Sequence, residues 1–132
     1  MPNIEVSAIV LREGKVLVGC ANGGKWETPG GGIQEGESIL NATINAVFHC
    51  SGITVEPKNV MFVSEAFDPE HRIILYLYAD YVSGELVAGE SWDTIEWVDI
   101  RELGSLQEQM SDITVDAFYK FSLVLRQSAG RV

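Results

Sequence analysis

No run of about 18 apolar residues occurs in this chain, so no segment reads as a membrane-spanning helix. Cysteine is scarce. Cys20 and Cys50 are the only two, too few for a disulfide framework, and neither lies in a CxxC or other metal-ligand spacing. Met1-Pro2-Asn3-Ile4-Glu5 offers neither a basic stretch nor an apolar one of the secretory kind, and a reducing cytoplasm is the expected compartment. Positive charge is short as well: nine Lys and Arg stand against nineteen Asp and Glu, a net charge of −10. That balance argues against a nucleic-acid polymer as partner, because phosphate backbones are held by clustered bases. The shortage is uneven. Residues 80–116 carry ten acids against one base, Arg101. Such a run reads as a solvated acidic face, or as a source of ligands for a divalent cation that escorts phosphate.

What the chain does hold is material for one ordinary core. Its 132 residues, 46% of them hydrophobic, are read as a single domain over 1–132. Glu5–Leu11 and Val16–Cys20 read as strands joined by a hairpin turn at Arg12–Lys15, and Trp26–Thr28 as a short extended piece stopped by Pro29 and three glycines. Ser38 is a suitable N-cap and Gly52 a suitable left-handed C-cap for the helix between them. Leu40, Ile44, Val47 and Phe48 recur on it at helical spacing as a core stripe. Strands follow at Val60–Glu65, Arg72–Val82 and Thr94–Val98, with a turn at Asp68–Glu70. Asp99–Leu103 begins a short helix or turn, and an amphipathic helix capped near Asp112 closes the chain.

The segment from Gly31 to Ile53 resembles the Nudix box: Gly, five residues, Glu, seven residues, Arg-Glu, an aliphatic, any residue, Glu-Glu, any residue, Gly, an aliphatic. Gly31, Glu37, Val47, Gly52 and Ile53 match that frame. Trp26-Glu27-Thr28-Pro29-Gly30-Gly31 resembles the family's lead-in, and Glu96 to Leu103 its late Trp-Val strand; the stretch from Glu65 to Arg72 is similar to MutT-type hydrolases. The resemblance covers nearly the whole chain. It implies an α/β fold, the α/β/α sandwich with a mixed β-sheet, and hydrolysis of a nucleoside diphosphate linked to another group. Homodimerisation is a further expectation by analogy.

The departures fall on the chemistry. The box Arg-Glu is Asn45-Ala46 and its Glu-Glu is His49-Cys50. Positions 46, 49 and 50 share a helix face, where three glutamates would collect the oxygen ligands that Mg²⁺ requires. Ala46 has no ligand atom, and His49 and Cys50 are donors that Mg²⁺ disfavours. Zn²⁺ on those two would lack further ligands; a small buried Cys50 and a polar surface His49 are the plainer reading. Without its arginine, Glu37 must find backbone amides, Asn45 or water. The oxygen ligands that survive are Glu35 and Glu37 beside the glycines and Glu90 on the loop before Trp97, a displaced metal set in which Glu37 and Glu90 are the catalytic candidates. Three glycines permit positive φ and close approach to a ligand, so Gly30, Gly31 and Gly32 join Lys25, Trp26, Glu27, Phe67 and Arg72 as ligand-binding candidates, with Tyr76 as a further stacking surface.

The resulting expectation is a family member with box-type hydrolysis weak or lost and a small nucleotide-like ligand retained. Two alternatives stay open: an active hydrolase using Mg²⁺ or Mn²⁺ on Glu35, Glu37 and Glu90, and a non-catalytic structural or interaction protein that needs no cofactor.

Overall fold

Strand β1 (Asn3–Arg12) is buried continuously from Val6 to Val10, as expected of a strand covered on both faces. In the computed structural model, which describes residues 1–20, 24–89 and 92–129, it lies at the centre of a mixed sheet. On one side it pairs in parallel with β5 (Arg72–Ser83), from Asn3 opposite Arg72 to Leu11 opposite Asp80. Its other side is shared. The last residues pair with β2 (Lys15–Cys20) through a two-residue hairpin with positive φ at Glu13 and Gly14, the geometry that matches strand twist. The first residues pair with β3 (Gly30–Gly32). Antiparallel β4 (Thr54–Ala66) lies beyond β5 and β6 (Thr94–Asp99) beyond β2, giving the order β4-β5-β1-β2-β6.

Alternation along these strands sorts the core into two layers. Val6, Ala8, Val10, Leu17, Leu77 and Ala79 turn to the face covered by α1 (Ile39–Ser51), packing with Ala42 and Val47. Ile9, Val16, Val18, Ile74, Tyr76 and Val98 turn to the opposite face, covered by Ala117 and Phe121 of α2 (Asp112–Ala129). A 3-10 segment, Ile100–Gln109, connects β6 to α2. The expected sandwich with helices on both faces is the observed architecture, and among the described residues no helix is long and apolar enough to cross a membrane.

The helix caps are those read from the sequence. Ser38 Oγ accepts from Asn41 N–H at 3.1 Å, and Gly52, at φ 75°, donates its N–H to Phe48 O at 2.8 Å. The core stripe of α1 is different from the expected one. Leu40 and Phe48 are 46% and 57% exposed, while Ala42, Thr43, Val47, Cys50 and Ser51 face the sheet. Thr43 and Ser51 tolerate burial because their hydroxyls donate to the carbonyls of Ile39 and Val47, four residues back. This smaller face brings the helix close to β3; a Cβ on Gly31 would stand 3.7 Å from Ala46 Cβ.

Three boundaries also move. The glycine run is a strand rather than a positive-φ turn: Gly30, Gly31 and Gly32 pair with Ser7, Val6 and Glu5, and their φ values are ordinary. Gly30 is required for proximity, since a Cβ there would meet Val6 O and come within 3.0 Å of Ser7 Oγ. β4 starts at Thr54, six residues before the expected Val60, because as the outermost strand it admits Pro57 together with local register shifts. The cap of α2 is Ser111, whose Oγ accepts from Thr114 N–H, one residue before the expected position.

Gly52→Ala tests the left-handed cap. The new methyl would sit at positive φ and 3.1 Å from Glu85 O, and the expected loss is about 1–2 kcal/mol of unfolding free energy in urea titration. A variant as stable as the parent would show that the cap relaxes without cost.

Candidate functional site

Strand β3 is a wall with a hollow on each side. On the α2 side lies a cleft of about 110 Å³. Glu5 and Ser7 of β1, Arg72, Ile74 and Tyr76 of β5, Glu27, Thr28, Trp92 and Thr114 line it, with Gly30 and Gly31 as its backbone edge. On the α1 side the same two glycines border a shallower hollow that also holds Gly32, Glu37, Asn45, Ala46 and His49.

The cleft is organised by one charge pair. Arg72 Nε and Nη2 donate to the two carboxylate oxygens of Glu5 at 2.8 and 2.9 Å, a bidentate contact between half-buried side chains. Glu5 raises the Arg72 pKa further, desolvation opposes this, and the charge of Glu27 adds to it. Tyr76 is 2% exposed, and burial first, then Glu27, pushes its hydroxyl well above the ordinary phenol value. It is therefore a neutral hydrogen-bonding group over the working pH range. Phe62 stacks on its ring with centroids 5.1 Å apart. Ser7 Oγ donates to Pro29 O at 2.9 Å and lies 2.6 Å from Thr28 Oγ1. Having one proton, Ser7 receives the bond from Thr28, and the pair ties β1 to the segment that leads into the glycines.

On the α1 side, Glu37 Oε1 accepts from Gln34 N–H at 3.0 Å and Oε2 from Asn45 Nδ2 at 2.7 Å. The Gln34 amide, and after it Asn45, lower the Glu37 pKa. Asn45 thus braces the loop to the helix as a neutral donor. The face expected to hold metal does not fit a divalent ion. Ala46 supplies no donor atom, His49 is exposed, and Cys50 is 5% exposed with its Sγ 3.7 Å from Gly30 O. Burial raises the Cys50 thiol pKa, a backbone hydrogen bond with Gly30 partly offsets this, and the charge of Glu27 adds to the rise, so sulfur is present as a neutral thiol rather than a ligating thiolate. Among the described residues no group of three or more His, Cys, Asp or Glu is placed to hold a metal ion.

The sequence candidates separate on this geometry. Glu27, Gly30, Gly31, Arg72 and Tyr76 line the cleft, whereas Gly32 and Glu37 line the hollow on the α1 side. Glu35 is exposed and borders neither of these two. Lys25 is exposed and donates to Glu108 O at 3.1 Å. Trp26 packs into the core cluster of Ile9 and Val18, and its backbone N–H donates to Gln109 O. Phe67 is 69% exposed and stacks on His71 beyond the end of β4. Glu90 lies outside the described residues. Glu5, Ser7, Thr28, Trp92 and Thr114 enter the cleft without having been singled out. Arg72 and Glu5 stand 67 positions apart and meet only through the parallel register. Trp92 left a fainter trace in Gly19, where a side chain would collide with the indole ring.

A family model of the NUDIX domain matches residues 1–119. An ADP-ribose pyrophosphatase of Methanocaldococcus jannaschii is 25% identical over 117 residues, a match covering 80% of this chain and 66% of that protein's length. Among solved structures, a NUDIX hydrolase from Nitrosomonas europaea superposes with a TM-score of 0.82 at 18% identity, covering 93% of this chain and 90% of that one. A MutT NUDIX hydrolase from Burkholderia pseudomallei superposes with a TM-score of 0.80 at 21% identity, covering 91% and 98%.

Asn45→Ala removes one of the two donors on Glu37. The expected result is a Glu37 pKa moved up toward the ordinary value of 4.5, read by carboxyl carbon NMR titration. Because the folded pKa lies below the unfolded one, Glu37 stabilises the fold fully above the unfolded value and loses that contribution as pH falls through the folded one. The variant should show a smaller acid-side loss. An unmoved midpoint would mean that the Gln34 amide alone sets it.

Proposed function

The chain belongs to the Nudix family, and from that premise we propose that it binds a nucleotide-like ligand in the Glu5–Arg72 cleft while box-type hydrolysis is weak or lost. The observation that carries this reading is the α1 face, where Ala46, His49 and a buried neutral Cys50 stand in place of carboxylates. Nudix hydrolases in general use divalent ions such as Mg²⁺ or Mn²⁺. Ions of that kind polarise phosphate oxygens and lower the pKa of the attacking water. Phosphoryl transfer depends mainly on such electrostatic stabilisation, so losing their anchor costs several orders of magnitude in rate.

The cleft keeps what a binding site needs. Arg72 spends two of its five N–H donors on Glu5 and has the others for an acceptor on the ligand. The Glu27 carboxylate accepts from N–H donors, the neutral Tyr76 hydroxyl serves either role, and Trp92 adds an apolar wall. Two carboxylates face one guanidinium here, so the nucleoside portion of a ligand suits the cleft better than an uncompensated polyphosphate. An ADP-ribose pyrophosphatase among its sequence relatives and a UDP-X diphosphatase of similar fold support a nucleoside diphosphate linked to another group as the ligand class.

Calorimetric titration with ADP-ribose, UDP-sugars and nucleoside triphosphates in EDTA should give binding for at least one, with Arg72→Ala weakening it about tenfold. Phosphate release with Mg²⁺ or Mn²⁺ should stay below about 1 s⁻¹. Faster turnover that falls on Glu37→Gln or Glu90→Gln would overturn this reading in favour of a hydrolase with a displaced acid set. Absence of both binding and turnover would leave a structural or interaction role.

A further inference from the structure

A second concavity lies away from the cleft, between the 3-10 segment Ile100–Gln109 and α2. Its apolar part, about 350 Å³, has a floor that includes Leu103, Met110, Phe118 and Phe121, and Leu125 at its end is 41% exposed. Gly104, Gln107 and Val115 border both this part and a neighbouring hollow that holds Glu108 and Asp112. The two parts therefore form one continuous groove, greasy at one end and acidic at the other. Tyr119, 62% exposed, stands on its α2 wall.

Acids outnumber bases around it. Arg101, the one base between residues 80 and 116, is taken by Asp99 through bonds of 3.0 and 2.8 Å. Among the described residues Glu102, Glu108 and Asp112 form no ion pair, and Lys25 reaches this end to donate to the Glu108 carbonyl. A second copy of the chain would bring the same acids to the contact, and an anionic lipid surface or nucleic acid would be repelled. The complementary occupant is apolar on one side and positively charged.

We propose that this groove receives a basic amphipathic helix of a partner protein. Its apolar residues, at spacings of three and four, seat between Leu103 and Phe118, where their burial supplies the attraction. Its Lys and Arg residues lie toward Glu108 and Asp112 and set orientation and association rate. The ligand cleft shares no lining residue with the groove.

The probe is a fluorescein-labelled Leu/Lys amphipathic peptide of about 14 residues, long enough for a helix to form on contact, titrated with the full chain by anisotropy. Saturable binding that weakens with salt is expected, and a peptide with each Leu replaced by Ser should not bind. Gly104 is the place to obstruct the groove, because a side chain there meets nothing within 4 Å and its backbone carries no positive φ. Gly104→Trp should lower affinity at least tenfold without changing the melting curve. The pair Glu108→Gln and Asp112→Asn should flatten the salt dependence, whereas the equally charged change Glu56→Gln with Glu85→Gln should not. Absence of peptide binding, equal affinity in Gly104→Trp, or equal effects of the two neutralising pairs would overturn the proposal. Concentration-dependent dimerisation abolished by Gly104→Trp would overturn it in favour of self-association.

Discussion

Parallel pairing of β1 with β5 is the constraint on which the rest of this structure depends. Both strands are covered on two faces, so a slip of one residue would turn every core side chain to the wrong layer. With Asn3 opposite Arg72, Val6, Ala8 and Val10 meet α1, and Ile9 meets α2. The same register sets Glu5 beside Arg72 and aligns Ser7 with Tyr76 along the cleft. The pairing that builds the core also builds the charge pair of the site.

The second dependence is steric. β3 can lie against β1 because Gly30 has no Cβ, and α1 can lie against β3 because its buried face is small. The glycines serve as a thin wall with a hollow on each side rather than as a positive-φ turn. Substitution of the box carboxylates fits this packing. Cys50 seals against Gly30 O as a small buried group, and Asn45 retains the bracing of Glu37 with a neutral amide. The helix thereby keeps its structural duty without the carboxylates of the box.

Legibility in the sequence followed the range of the signal. The β1–β2 hairpin, the Ser38 and Gly52 caps and the long β5 strand are local and were read correctly, within a few residues at their ends. Of the expected α1 stripe, Val47 is buried and Leu40 and Phe48 are exposed, because two apolar rows overlap on one helix and the row with Thr43 and Ser51 looks less hydrophobic than the one with Leu40 and Phe48. Internal hydrogen bonds make the polar members of that row inexpensive to bury, which period alone does not reveal. Arg72 and Glu27 were visible as candidates, but Glu5, Ser7, Trp92 and Thr114 were not, since each owes its place to contacts far away in sequence.

By itself, then, the sequence determined the family frame and the absence of the three helix-face carboxylates, because both are matters of residue identity at fixed spacing along one short segment. Tertiary structure alone decided that Arg72 is held by Glu5 and that an acidic, apolar-floored groove lies beside α2. Those facts depend on which distant strands and helices are brought together, and on how much water is left between them. Residue identity sets what chemistry is available; packing sets which groups are charged, paired and within reach.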